Sequence, residues 1–271
     1  SNKWYDKIVR HYSEPHRAYH NLIHVEDVLA SIELLLDTSH GSVDGASSST
    51  GNFTTDTVHD CCSKAKTAIL TLAAFFHDVI YNPKSSTNEK DSADLFLGFV
   101  SELSCAIATS VVGNEWNDEM RQSILRSNTM VMHIEQCIIA TATHISSANQ
   151  ARQSNNTIVA TFLDADMSIL GRDPSQYDAY AASIRREYEF VERDMYCEKR
   201  KEILDSFLPL MMNADDADAP TQSIGTSSKT KAKHHFFIYA TDRGRSLWEE
   251  RARENLRREI DMLHGGVTPC M

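Results

Sequence analysis

The sequence lacks an apolar run able to span a bilayer: its longest strongly apolar stretch, residues 68–76, falls far short of the ~20 residues required. It also lacks a basic amino-terminal segment followed by an apolar stretch and a small-residue cleavage site, so a cytoplasmic rather than a secreted protein is expected. CxxC pairs are missing as well. The six cysteines, Cys61, Cys62, Cys105, Cys137, Cys197 and Cys270, show no disulfide-framework spacing, which points to a reducing compartment. Positive charge is in short supply: a net charge of −11 excludes a nucleic-acid polymer as the expected partner, because such binding needs a concentrated basic face. No membrane partner is expected either. An anionic ligand must then be small, and met by local cations or a metal.

Strand-like alternation is nearly absent, whereas long windows carry apolar residues at three- and four-residue spacing. With 271 residues and 41% hydrophobic content there is ample material for a core. The expected fold class is therefore all-α, with helices near residues 2–13, 24–37, 59–81, 87–103, 117–127, 130–146, 156–170, 174–194, 197–212 and 243–263. Asn82-Pro83 marks the stop after the third of these, since a proline disfavours helical geometry before it and removes a donor. Residues 38–57, 146–156 and 213–233 are rich in Ser, Thr, Asn, Asp or Gly without periodic apolar positions, which reads as surface-loop insertions. Helical pattern resumes on both sides of each, so residues 1–271 are expected to form a single helical bundle.

Within this pattern one polar pair stands out. His77-Asp78 closes the apolar run that ends in Phe75-Phe76, and burying both unpaired costs a few kcal/mol. One way out is a helix end, where His meets free carbonyls and Asp caps the next turn. The other is a metal ion, which neutralises the carboxylate and occupies an imidazole lone pair. Further donors lie elsewhere. His20 and His24 share a helix face if that helix begins early enough, and His24 is followed by the core-facing Val25, Val28 and Leu29. Asp164 and Asp166 lie in the apolar stretch from Ile158 to Gly171; being about 200° apart on a helix they cannot share one solvent side. Three separate helices are thus expected to assemble one metal site.

These residues resemble the HD-domain superfamily of metal-dependent phosphohydrolases, which is defined by a separated His, an adjacent His-Asp pair and a distal Asp. The resemblance is closest to its predicted phosphohydrolase branch. It is carried, in order, by Arg17-Ala-Tyr-His-Asn-Leu-Ile-His24, Ala74-Phe-Phe-His-Asp-Val-Ile-Tyr81, Asn88-Glu89-Lys-Asp-Ser-Ala93, Thr141-Ala-Thr-His144, Phe162-Leu-Asp-Ala-Asp-Met-Ser-Ile-Leu-Gly171 and Ile184-Arg-Arg-Glu-Tyr188. It runs from about Trp4 to His264, insertions aside.

The resemblance implies His24, His77, Asp78 and Asp166 as ligands of one divalent transition metal, Asp166 being preferred to Asp164 because the family's distal Asp follows Ala and precedes an apolar helix. A set of two imidazoles and two carboxylates suits Mn, Fe, Co, Ni or Zn. The implied activity is hydrolysis of a small phosphorylated metabolite, a nucleotide or related phosphate ester, through metal-activated water. Asp78, Glu89 and His144 are the implied catalytic residues; Arg17, Tyr19, His20, Arg185 and Tyr188 are the candidate substrate contacts, with Tyr81 in the same pocket. Blander roles stand beside these. Ser86-Thr-Asn-Glu89 also reads as a capping box, His144 as a helix C-cap, and Arg185 as a surface ion pair. Arg200, Arg251, Arg253 and Asn255 fit a family-like carboxy-terminal region, while their charge patterning alone suggests solvated faces. Alternative functions are a dinuclear iron oxygenase on the same scaffold, with His20 and His144 serving a second metal, and a non-catalytic nucleotide-sensing module.

Overall fold

A computed structural model of the protein describes residues 3–37, 55–110, 118–208 and 236–269. Helices follow one another in the order α1 (Lys3–Tyr12), α2 (Leu22–Leu36), α3 (Thr55–Phe76), α4 (Asn88–Ser110), α5 (Asp118–Ala140), α6 (His144–Gln153), α7 (Thr157–Asp166), α8 (Pro174–Glu187), α9 (Arg193–Phe207) and α10 (Asp242–His264). Short 3-10 turns at Thr141–Thr143 and Met167–Gly171 join α5 to α6 and follow α7. The fold is all-α; the described residues contain no strand. No helix among them is long and apolar enough to cross a membrane.

Local chemistry sets the helix starts. The side chain of Asn21 accepts from the Ile23 amide at the head of α2, and that of Asn156 from the Val159 amide at the head of α7. Thr241 does the same for the Gly244 amide at α10, and Pro174 occupies the first turn of α8. Each such cap satisfies a donor that the helix leaves orphaned, stabilising it by about 1 kcal/mol.

Several boundaries differ from those the sequence pattern predicts; α4, expected to end near residue 103, runs on to Ser110, and α7 ends at Asp166 rather than 170. The helices expected at 117–127 and 130–146 are joined in one continuous α5, Asp118–Ala140, while 141–146 form the 3-10 turn and the first residues of α6. Of residues 146–156, expected as a loop, 146–153 instead form most of α6, a mostly polar helix that buries little more than Ala148 and Ala151, and only 154–156 connect it to α7. Two small side chains are enough to dock a short helix yet too few to print an apolar period. Helix α3 stops at Phe76 rather than at residue 81, leaving His77-Asp78 on the turn beyond it. The helix expected over 174–194 ends at Glu187, and α9 begins at Arg193. Of the other two expected insertions, 38–54 and all of 213–233 lie outside the described residues, and 55–57 form the first turn of α3.

Two buried clusters flank the region of interest. Phe76, Phe96, Ile134, Ile138 and Phe162 centre one, drawn from α3, α4, α5 and α7. Leu170, Tyr177, Leu204, Tyr239, Trp248 and Leu256 centre the other, with α8, α9 and α10. Each such side chain contributes about 2 kcal/mol of burial. The turn after α7 presses into the second cluster at Gly171, where a Cβ would stand 2.4 Å from Trp248 Cβ and 2.7 Å from its carbonyl oxygen; only glycine permits that approach.

Candidate metal centre and its cavity

Because Asn21 starts α2 at Leu22, His24 stands in the first helical turn, buried to 3% exposure, while Val25 and Val28 enter the core. His20 lies before the helix, so the two rings do not share a helix face as the four-residue spacing predicts. They meet edge-to-face nonetheless, with centroids 5.8 Å apart. His77 makes the last bond of the α3 ladder, its amide donating to the Ala73 carbonyl at 2.9 Å. Its Nδ1 is 2.9 Å from the Ala74 carbonyl oxygen. A carbonyl only accepts, so Nδ1 carries the proton and the Nε2 lone pair is left for another partner.

Three side chains converge on that lone pair. His24 Nε2 lies 3.1 Å from His77 Nε2. Asp166 Oδ1 lies 3.2 Å from His24 Nε2 and 3.5 Å from His77 Nε2. Asp78 Oδ2 lies 3.1 Å from His77 Nε2 and 3.7 Å from His24 Nε2. Ligand atoms of His24, His77 and Asp166 all fall within 4.8 Å of one another, so this group can hold a metal ion. Burial alone would lower the His77 pKa, but Asp78 and Asp166 beside it hold it well above the usual imidazole value. Burial would raise the Asp166 carboxyl, yet the neighbouring imidazoles, His77 foremost, hold it well below its usual range. The group therefore concentrates negative charge around two imidazole nitrogens and calls for a cation. His24, His77 and Asp166 thus offer two imidazoles and one carboxylate, with Asp78 beside His77, a mixed N/O set of the kind that suits a divalent transition ion.

The two aspartates of α7 diverge. Asp164 is buried at 1% exposure and accepts from the Ala240 amide at 2.6 Å, the Thr241 amide at 2.8 Å and the Thr241 hydroxyl at 2.6 Å. Burial pushes its carboxyl up to about 6, the hydrogen bonds offsetting only part of that rise. It pins the start of α10, while Asp166 points into the cluster.

A cavity of about 280 Å³ opens over the cluster, lined by His24, Asp78 and Asp166 together with Tyr19, His20, Tyr81, Glu89, His144, Tyr180 and Tyr188. His144 begins α6 rather than ending a helix, and its Nε2 lies 2.8 Å from Asp166 Oδ2. Glu89 makes no hydrogen bond among the described residues. The expected capping box is replaced by Thr87, whose hydroxyl donates to Asp91 Oδ2 at 2.8 Å. A larger cleft of about 840 Å³ on the other side of Tyr81 and Glu187 contains none of the four cluster residues.

Arg17 and Arg185 are not brought to the cavity. The fully buried Arg17 side chain donates to Glu14 Oε2 at 3.0 Å and to the carbonyls of His20 at 2.9 Å, Asp78 at 2.7 Å and Val79 at 3.0 Å. It ties the turn bearing Asp78 to the segment before α2. Arg185 donates to the carbonyls of Tyr188 at 2.7 Å and Val191 at 3.1 Å, and its guanidinium lies 4.6 Å from the centre of the Tyr196 ring. The cavity is thus lined by no Lys or Arg among the described residues. Arg200 and Asn255 do not face solvent either. Arg200 pairs with the buried Glu259 at 2.9 Å, and Asn255 donates to the Leu170 and Arg172 carbonyls, both at 2.9 Å. Arg251, which meets Asp173 at 2.7 Å, does lie on an exposed face.

Sequence reasoning missed Glu187, Tyr180 and the structural part of Arg17. Glu187 carried a signal: an acidic residue in the last turn of a helix, at the unfavourable end of the dipole, between Arg186 and Tyr188. Fold and site together define an all-helical protein with a buried histidine–aspartate group beneath a tyrosine-rich cavity. No family model, no curated protein and no solved structure matches the chain.

Proposed function

We propose that this chain is a cytoplasmic, metal-dependent phosphohydrolase of the HD-domain type, acting on a small phosphorylated metabolite, a nucleotide or related phosphate ester. One observation carries the reading: His24, His77 and Asp166, far apart in sequence, bring one ligand atom each within 4.8 Å of one another at the cavity wall, with Asp78 Oδ2 3.1 Å from His77 Nε2 beside them. The ordered motifs around those positions support it. The four residues would hold one divalent ion of Mn, Fe, Co, Ni or Zn, which when bound supplies Lewis acidity toward a phosphoryl oxygen and lowers the pKa of water. His77 is oriented for this by Ala74, and Asp78 by the Arg17 clamp on its backbone. Glu89, free of a cap role, takes up a proton at the cavity. His20 and His144 supply polar contacts to phosphate oxygens in place of arginines, and Tyr19 and Tyr188 offer flat apolar faces to the remainder of the substrate.

The test is a screen of nucleotides and phosphate esters with each metal, reading released phosphate. Turnover should be lost in both His77→Ala and Asp78→Ala; turnover unchanged in both, with the fold intact, sinks the proposal. A second reading, a dinuclear iron oxygenase, draws on two contacts flanking the cluster: His144 at 2.8 Å from Asp166 and His20 at 4.0 Å from Asp78. Two iron ions per chain without phosphate release would establish it instead.

A further inference from the structure

Glu187 closes α8, and its side chain is fully buried. Five donors offset that burial. Oε1 accepts from the amides of Ala18, Tyr19 and His20 at 2.8, 2.7 and 2.9 Å. Oε2 accepts from the Tyr81 hydroxyl at 2.8 Å and lies 2.6 Å from His20 Nδ1. A carboxylate only accepts, so His20 Nδ1 carries a proton in this contact. The ring is stacked on Tyr81 at 4.2 Å between centroids, and its other nitrogen, Nε2, lies 4.0 Å from Asp78 Oδ2 at the cavity wall. One buried carboxylate therefore sets the backbone that leads into α2, the plane of the His20 ring and the position of its proton.

We infer that Glu187 is a positioning residue of the site: acting through His20, it determines which ring nitrogen is offered to a bound substrate. The substrate part of this rests on the phosphohydrolase reading; the part about the ring rests on the contacts alone. Glu187→Gln separates Glu187 from its neighbours cleanly. The amide oxygen can still accept from the three backbone amides, but the amide nitrogen now faces His20 and Tyr81 as a donor. The Tyr81 hydroxyl can rotate to accept. The His20 ring can accept only by moving its proton from Nδ1 to Nε2.

The experiment uses the full chain as wild type, Glu187→Gln, His20→Gln and the double variant. Long-range 1H–15N spectra of the imidazoles, recorded without metal, identify His20 as the signal absent from His20→Gln. We expect a protonated Nδ1 in the wild type and an unprotonated Nδ1 in Glu187→Gln. With Mn2+ and p-nitrophenyl phosphate, each single variant should lose about tenfold or more in kcat with KM altered less than about twofold, as for groups acting on the reacting state. The double variant should lose no more than either single one, because both remove the same link. An Nδ1 that stays protonated in Glu187→Gln, or losses that add, overturns the inference. So does a His20→Gln enzyme with wild-type kcat, whether or not Glu187→Gln folds. If the wild type shows no turnover of any phosphate probe, the hydrolase reading fails, and the Nδ1 signal decides the role of Glu187 alone.

Discussion

Asp166 Oδ1 lies 3.2 Å from His24 Nε2, so the last turn of α7 meets the first turn of α2. Nothing local to either helix demands that contact; the packing of α2, α3 and α7 in one apolar cluster delivers it. The energetics of the group follow from it. Two carboxylates and two imidazoles held this close, with His24 and His77 each 3% exposed or less, are stabilised by any cation that they can share.

Divalent metal should therefore raise the melting temperature. A ligand at a hundred times its Kd adds about 2.7 kcal/mol. Thermal denaturation with and without Mn2+ should show this gain in the wild type and its loss in Asp166→Asn and His77→Ala. An equal gain in those variants would place the metal elsewhere.

Asp164 and Asp166 should separate in the same assay. Asp164→Ala leaves the Ala240 and Thr241 amides without their acceptor, at a cost of about 1–3 kcal/mol each way the desolvated donors are left. We expect a lower urea midpoint and an intact response to Mn2+. Asp166→Asn should abolish the response to Mn2+ and also lower metal-free stability, because the imidazoles that hold its carboxyl down stabilise the folded state.

Arg17→Met should act on stability rather than on substrate affinity. It strands three carbonyls and Glu14, for an expected cost of about 3 kcal/mol. Equilibrium unfolding measures that cost. In conditions where the variant remains folded, KM for an active phosphate ester should change far less than a lost phosphate contact would require.

Glu187 gives the fold a definite acid limit. Burial alone would raise its carboxyl, but the hydrogen bonds and charge of His20 hold it down to about 2, against 4.5 when exposed. The folded value lies below the unfolded one, so the stabilisation is present in full above pH 4.5 and is lost as pH falls toward 2. Its size is about 3 kcal/mol. The difference in unfolding free energy between wild type and Glu187→Gln should shrink steadily as pH falls across that window. Asp164 works with the opposite sign: its carboxyl, pushed up to about 6, favours folding most below pH 3.8 and progressively less as pH rises through 6.

Much of this arrangement was legible beforehand, and the residues show why. His24 beside Val25 and Val28, and His77-Asp78 after Phe75-Phe76, announce burial because a polar group inside an apolar period has no solvent to face. The roughly 200° between Asp164 and Asp166 likewise shows that they cannot share one solvent side, so at least one faces inward. Arg17 reads from the sequence as a substrate contact because an arginine that clamps carbonyls and one that binds phosphate look identical until its neighbours are known. Residues 146–156 were misread because α6 docks on Ala148 and Ala151 alone, too little apolar surface to leave a period.

The sequence by itself determined the all-helical class, through its apolar spacing, and raised His24, His77-Asp78 and the Asp164/Asp166 pair as candidates, through the cost of burying them unpaired, while the preference for Asp166 rested on the motif resemblance. Only the tertiary structure decided what each polar group answers to: Asp166 to His24, Asp164 to the head of α10, Arg17 to three carbonyls and Glu187 to His20. The physical reason is that helix formation is set by local periodicity and capping, whereas a buried hydrogen bond depends on which distant donor or acceptor the packing brings within about 3 Å.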